Sequence, residues 1–108
     1  MKVIKAFIHH VRAPAVVQTL ADAGYRNITL QEVKGMLKPV SDSEEYYSSE
    51  AGGPVISEVR LSLVCEDDEV EEVTGLIRAV ASIGPHLSGW VYVSPVDMVL
   101  PIGGEPAS

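Results

Sequence analysis

The chain has 108 residues, of which 46% are hydrophobic and 21% charged, a composition typical of one globular domain. Its formal net charge of −7 disfavours non-specific binding to nucleic acid or to an anionic membrane. No apolar run approaches the roughly 20 residues of a transmembrane helix, the first residues do not have the pattern of a signal peptide, and the single Cys65 excludes an internal disulfide. We therefore expect a cytoplasmic protein in which Cys65 is a small buried thiol.

Residues 2–8 predict a first strand, because the segment is short and rich in residues that favour strands. Alternation divides its apolar side chains into two sets, Ile4, Ala6 and Ile8 on one face and Val3 and Phe7 on the other. Since both faces are apolar, we expect an interior strand, or a strand that a second subunit covers.

A helix is predicted next, with Pro14 in its first turn and Gly24 as its C-terminal cap. Its apolar stripe consists of Val16, Val17, Leu20, Ala21 and Ala23. Residues 26–34 predict a second strand, with Ile28 and Leu30 on the core side.

Residues 36–57 form a long and mostly polar connection. Compact domains rarely hold more than about 12–15 structureless residues between elements unless the loop is functional or disordered. We therefore expect this segment to have a role of its own.

The second half repeats the order strand, helix, strand. Residues 58–65 alternate, and the helix begins at Asp67 or Asp68, where Asp68 and Glu71 fit a capping box. The apolar stripe of this helix consists of Val70, Val73, Ile77, Val80 and Ala81. Gly84 follows as a stop, and residues 89–96 predict a fourth strand that Pro95 closes.

This order predicts an α+β, ferredoxin-like βαββαβ domain, in which a four-stranded antiparallel sheet carries both helices on one face. We expect residues 1–102 to form this single domain and 103–108 a C-terminal tail. The side chains predicted on the opposite face are Val3, Phe7, Thr29, Val33, Arg60, Val64, Trp90 and Tyr92. That face is too apolar to stay in water, so we expect self-association through it.

Several segments in this order resemble the P-II (nitrogen regulatory protein P-II) signal-transduction family. They are the opening residues 1–8, the path into the long loop at 20–35, the third strand with the second helix at 64–73, and the last strand at 91–96. The resemblance spans residues 1–102, and the 36–57 segment has about the length of the family's T-loop.

The resemblance implies a homotrimer that binds a small effector in clefts between subunits and regulates a target protein, such as a transporter or a metabolic enzyme, through the T-loop. Matching positions imply that the cleft contains Thr29, Gly35, Lys38, Val64, Gly84, His86, Gly89 and Trp90. They imply that the loop residues facing the target are Asp42, Glu44, Glu45, Tyr46, Tyr47 and Glu50. The acidic loop favours a basic target surface.

This chain departs from the family's pattern where phosphates are bound. Pro85 and Trp90 replace the two lysines of the family's second loop, and the T-loop glutamine falls at Pro39. The two late arginines fall near Pro101 and Gly103. Because a polyphosphate needs charge-assisted hydrogen bonds, we expect ADP, AMP or another small anion rather than ATP, or no ligand at all.

Some alternatives stay open. Tyr46 and Tyr47 either anchor the loop or contact the target, and Trp90 packs between subunits or stacks on a ligand. The chain could be a ligand-independent trimeric interaction module, or a metal-responsive trimer that uses His9, His10 or His86. We predict no metal site in one chain, because neighbouring residues of a strand point to opposite faces, and no nucleophile with a base that would indicate an enzyme.

Overall fold

The computed structural model describes residues 1–35, 56–85 and 87–104. The elements are β1 (Lys2–His9), a 3₁₀ turn (His10–Arg12), α1 (Ala13–Asp22), β2 (Thr29–Gly35), β3 (Ile56–Cys65), a second 3₁₀ turn (Asp67–Glu69), α2 (Val70–Ala81) and β4 (Gly89–Pro95). In the described part of the chain, no helix is long and apolar enough to cross a membrane.

The four strands form one antiparallel sheet in the order β2-β3-β1-β4. Together with the two helices, which pack on each other and on one face of this sheet, this confirms the ferredoxin-like fold. The interior strands are β1 and β3, and the edges are β2 and β4.

The core lies between the sheet and the helices. Its fully buried large side chains are Ile4, Ile8, Leu20, Leu61, Ile77, Val16 and Val73. Alternation predicted the strand residues of this set and the 3.6-residue period predicted the helix residues, because each element buries one apolar face. Cys65 is buried in the same layer, as expected.

Helix α1 ends in a Schellman motif. Gly24 has a φ of +99°, a value that favours glycine, and the Tyr25 N–H donates to the Leu20 carbonyl at 2.9 Å. This turn leaves residues 26–28 unpaired, so β2 begins at Thr29 rather than at Arg26.

Two other predictions of local structure were wrong, and a third holds only in part. Leu30 lies on the core side, opposite the buried Leu61, as predicted, but it is 48% exposed because β2 is an edge strand. The capping residues are Glu66 and Glu69 rather than Asp68 and Glu71, since a 3₁₀ turn precedes α2 and the Glu66 N–H donates to Glu69 Oε1 at 2.8 Å. Strand β3 begins at Ile56, two residues before the predicted start, because Ile56 pairs with Gly35.

The second face of the sheet, which we call the open face, carries no helix. It presents Val64, Trp90 and Tyr92, which are 42%, 51% and 51% exposed. Phe7 and Tyr92 pack edge to face, with ring centroids 5.5 Å apart. The register places Phe7 opposite Trp90 and Val3 opposite Val64, which confirms the predicted membership of this face.

Candidate functional site

The residues predicted to form the effector cleft lie at opposite edges of the sheet. Thr29 begins the edge strand β2, whereas Gly89 and Trp90 begin the edge strand β4. Strands β3 and β1 separate them. Within one chain these two groups of residues therefore form two separate concavities.

Thr29 and Val64 do come together. Both line a concavity of about 410 Å³, which we call the Thr29 pocket. Its other lining residues include Ser62, Glu66 and Glu69. None of the described lining residues is a lysine or an arginine, and the ammonium group of Met1, which also lines the pocket, is paired with Asp67 at 2.6 Å. This half of the predicted cleft therefore offers mainly hydroxyls and carboxylates, which suit a phosphate poorly.

Gly89 and Trp90 line a second concavity of about 420 Å³, the Trp90 pocket, between β4 and the end of α2. Its walls are mostly apolar and include Ile8, Ile77, Ala81, Leu87 and Val91. Arg78 is the one cation among its described lining residues. The sequence analysis did not identify Arg78 as a candidate site residue. Its position in the last turn of the predicted helix was the available signal, but a basic residue there is also explained by the helix dipole.

The predicted glycines have structural reasons that are independent of any ligand. Gly84 has a φ of +65°, in the left-handed region that favours glycine. A Cβ on Gly89 would collide with the Phe7 carbonyl oxygen, because β4 passes close to β1 there. Between them, the Ser88 hydroxyl accepts the Ile83 N–H at 2.8 Å and holds the turn closed.

Arg12 connects the two helices through hydrogen bonds. Its Nε and Nη2 both donate to the Val80 carbonyl oxygen, at 2.8 and 2.6 Å. A guanidinium on a carbonyl of the last helical turn satisfies an acceptor that lacks an intrahelical partner. Arg12 thus ties the start of α1 to the end of α2, beside the Trp90 pocket.

Several predicted residues lie outside the described residues. They are Lys38 and His86 of the predicted cleft and the six loop residues Asp42, Glu44, Glu45, Tyr46, Tyr47 and Glu50. All of these residues except His86 belong to the segment between β2 and β3. The structure shows where this segment is attached, since β2 ends at Gly35 and β3 begins at its partner Ile56.

A third concavity, of about 430 Å³, lies beside this attachment point and is lined by His10, Glu32, Val33, Lys34, Ser57 and Glu58. We call it the Glu58 pocket. Glu58 is only 5% exposed, and its Oε2 has no hydrogen-bond partner among the described residues. Burial raises the pKa of its carboxyl group above the ordinary value. An unsatisfied buried acceptor of this kind costs about 1–3 kcal/mol.

The two adjacent histidines do not point to opposite faces, which corrects the expectation from strand alternation. His9 ends β1 and His10 begins the 3₁₀ turn, so their rings stack with centroids 4.6 Å apart. His9 is buried, and its Nδ1 accepts the Val11 N–H at 3.2 Å. The ring of His10 lies 3.3 Å from the Ser57 carbonyl oxygen.

Other charged groups have structural roles. The N-terminal ammonium of Met1 contacts Asp67 at 2.6 Å and lowers the pKa of that carboxyl. Burial raises the pKa of the Cys65 thiol, which is unsuited to a reactive thiolate. Burial and the hydrogen bond to Glu72 raise the pKa of Tyr25 to about 12.

No group of three or more His, Cys, Asp or Glu side chains that could hold a metal ion is present among the described residues. His9, His10 and Glu58 do not form such a group. His86, the third histidine of the chain, lies outside the described residues.

Comparison with known proteins gives one consistent result. Residues 1–105 match the model of a family described as nitrogen regulatory protein P-II. The chain is 30% identical over 102 residues to a nitrogen regulatory protein P-II of Microchaete diplosiphon, covering 94% of this chain and 91% of the relative. It is 28% identical over 102 residues to a nitrogen regulatory protein P-II of Porphyra purpurea, again covering 94% of this chain and 91% of the relative.

A relative with another name is also similar. The nitrogen fixation nifHD region glnB-like protein 1 of Methanococcus maripaludis is 34% identical to this chain over 99 residues. The alignment covers 90% of this chain and 89% of that protein. The similarity thus extends through both halves of the fold and across the segment that joins β2 to β3.

Proposed function

The chain belongs to the nitrogen regulatory protein P-II family, and from that premise we propose that it is a regulator that binds a small effector between subunits and controls a target protein through its long 36–57 segment. One observation carries this proposal. Of the predicted cleft residues, Thr29 and Val64 line the Thr29 pocket at one sheet edge, and Gly89 and Trp90 line the Trp90 pocket at the other. They can form one site only if the edges of two copies meet.

The open face supplies a reason for the copies to meet. Its exposed aromatic and aliphatic side chains would be covered in a homotrimer, the assembly that we propose. Each edge pocket is open on its own, and a neighbouring subunit would close it. We propose no catalytic activity for this assembly.

The effector that we propose is a small anion with few phosphates, such as ADP or AMP. Arg78 on the Trp90 pocket is a cation suited to one phosphate, and the Trp90 ring is a surface on which a base could stack. The two glutamates on the Thr29 pocket oppose a polyphosphate there. For this effector to regulate, it must bind two conformations of the 36–57 segment with unequal affinity.

Calorimetry with ADP, AMP, ATP and 2-oxoglutarate tests this proposal. We expect heat of binding for ADP or AMP, a weaker signal for ATP, and at least tenfold weaker binding by Arg78→Gln. Glu71→Gln, on the same helix but not lining the pocket, is the control. Absence of heat for all four compounds with the assembled protein would contradict the effector part of the proposal.

A ligand-independent interaction module is the second candidate. The apolar walls of the Trp90 pocket favour it, because a neighbouring subunit could fill them with side chains and leave no space for a ligand. Under this alternative, a target protein captured through the 36–57 segment would bind with the same affinity in the presence and absence of every nucleotide.

A further inference from the structure

The segment 98–102, which follows β4, exposes more large apolar side chains than any other stretch of that length in the described chain. Four of its five residues are large, apolar and at least 51% exposed. They are Met98, Val99, Leu100 and Ile102. The Val96 N–H donates to the Met1 carbonyl at 3.1 Å, and beyond Val96 no backbone hydrogen bond to a described residue holds the segment. Contiguous exposed apolar residues commonly mark an interaction site, whereas single ones are normal.

Val99 shows at which edge of the sheet this segment lies. It lines the Thr29 pocket beside the edge strand β2. Met1 lines the same pocket and Ile8 lines the Trp90 pocket, so the length of β1, about 20 Å, separates the two pockets. From Val99, the three residues to Ile102 reach at most about 10 Å. The segment therefore cannot fill the Trp90 pocket of its own chain.

The Trp90 pocket is an apolar surface that matches this segment. Leu87 and Trp90 in its wall are 52% and 51% exposed, and the buried side chains of Ile77 and Ala81 also line it. Such a surface gains free energy when apolar side chains replace the water that contacts it. Its volume of about 420 Å³ lies near the lower end of the range for small-molecule sites, roughly 300–1,000 Å³. Side chains that enter the pocket therefore leave little space for a ligand.

Charge complementarity between the two pockets favours the same pairing. Glu66 and Glu69 line the Thr29 pocket, whereas Arg78 lines the Trp90 pocket and forms no ion pair with a described residue. When the Thr29 edge of one copy meets the Trp90 edge of the next, these carboxylates approach the guanidinium. An exposed pair of this kind adds little affinity, but it favours one orientation of the two surfaces over others.

We propose that the 98–102 segment of one copy inserts Leu100 and Ile102 into the Trp90 pocket of a neighbouring copy, where they pack against Leu87 and Trp90. This inference rests on the proposed function, because it requires that the two sheet edges meet. The inserted side chains occupy the space that we assign to the effector, so the effector binds only the state in which they have withdrawn. The segment thus closes the neighbour's site in the absence of an effector.

Disulfide cross-linking of the full chain tests this contact directly. Leu87→Cys is combined with Leu100→Cys or with Ile102→Cys, and the assembled protein is mildly oxidised. A disulfide requires Cα atoms within about 7 Å of each other, so we expect at least one double variant to give covalently linked copies on a non-reducing gel. Gln18→Cys with Ile102→Cys is the control and should give none, because Gln18 is exposed on α1. Each single variant, which retains the buried Cys65, gives the background.

Leu100→Ser combined with Ile102→Ser tests the consequence for assembly and binding. Both side chains are exposed in the single chain, so we expect the variant to fold with an unchanged domain. Analytical ultracentrifugation should show that the dissociation constant of the oligomer rises at least tenfold. At protein concentrations that keep the variant assembled, ADP or AMP should bind at least threefold more tightly, because no side chain competes with it.

The inference is overturned if the assembled protein gives no linked copies with either double variant, or if the disulfide forms within one chain. An unchanged dissociation constant of the serine variant, or an unchanged affinity for the nucleotide, would also overturn it. Linked copies that bind no nucleotide would support this contact and contradict the effector part of the proposed function. A protein that does not assemble at all would overturn both.

Discussion

The two faces of the sheet differ in the polarity and the exposure of their side chains. On the helix-covered face the described positions of β1 and β3 are apolar and buried apart from Lys2 and Ser57, each near the start of its strand, and the buried residues pack against α1 and α2. The open face mixes exposed aromatics such as Trp90 and Tyr92 with the buried polar pair Glu58 and His9. The covered face stabilises the fold, whereas the open face retains surface and charge for other molecules.

The largest expected effect is on the covered face. Leu61→Ala removes a fully buried side chain between the helices and the sheet and should lower the free energy of unfolding by about 2–5 kcal/mol. Val64→Ala, three residues along β3 on the open face, is the matched control and should cost less than about 1 kcal/mol in dilute protein. Urea denaturation measures both variants, and equal losses would contradict the distinction between the two faces.

The next effect is on assembly. Tyr92→Glu places a charge in the aromatic cluster of the open face, and a charge buried without a partner is strongly unfavourable at an interface. We expect the dissociation constant of the oligomer to rise about a hundredfold, which corresponds to about 2.7 kcal/mol. Analytical ultracentrifugation measures this, and Ser94→Glu, at the end of β4 on the same face, should have a smaller effect.

A smaller effect concerns the dependence of stability on pH. The pKa of Glu58 is raised in the folded protein, so stability is full below its ordinary value of 4.5 and falls as pH rises through the raised pKa. The basic side chains nearest Glu58 are His9, its partner on β1, His10 in the following 3₁₀ turn, and Arg60 on the same face of β3, whereas Lys34 pairs with Ser57 on the other face.

Glu58→Gln should therefore gain about 1 kcal/mol relative to the unchanged protein at pH 8 and much less at pH 4. Thermal or urea denaturation at the two pH values measures the difference. A constant difference across this range would show that the carboxylate of Glu58 carries no burial penalty.

The smallest effect involves Tyr25, which links the turn after α1 to α2. Tyr25→Phe removes the hydrogen bond from its hydroxyl to Glu72 Oε1, 3.0 Å long, and should cost about 0.5–1.5 kcal/mol. Absorbance at 295 nm should show one of the four tyrosines titrating near pH 12, and this component should disappear in the variant. If it persists, the raised pKa belongs to another tyrosine.

The covered face could be predicted from sequence because its causes are local. Alternation places Ile4, Ala6 and Ile8 together, and helical spacing places Val73 and Ile77 on one stripe. Leu30 was predicted on the correct side, but its 48% exposure could not be predicted, because it depends on how far the helices extend over the edge strand.

The positions of the candidate pockets could not be predicted from local sequence patterns, because they depend on strand pairing between residues far apart in the chain. Register brings Glu58 between His9 and Val33, three residues far apart in the chain, and no periodicity marks Glu58 as buried. Only the family resemblance suggested Thr29 and Val64 as members of one site. Arg78 was not suggested at all, because the position of the Trp90 pocket follows from the packing of α2 on β4.

The central claim is that the open face is an assembly surface that brings the two sheet edges of neighbouring copies together. Light scattering coupled to size-exclusion chromatography measures the mass of the particle in solution directly. We predict three times the 11.6 kDa mass of the chain, persisting as the protein is diluted to micromolar concentration. A particle with the mass of one chain under these conditions would contradict the claim.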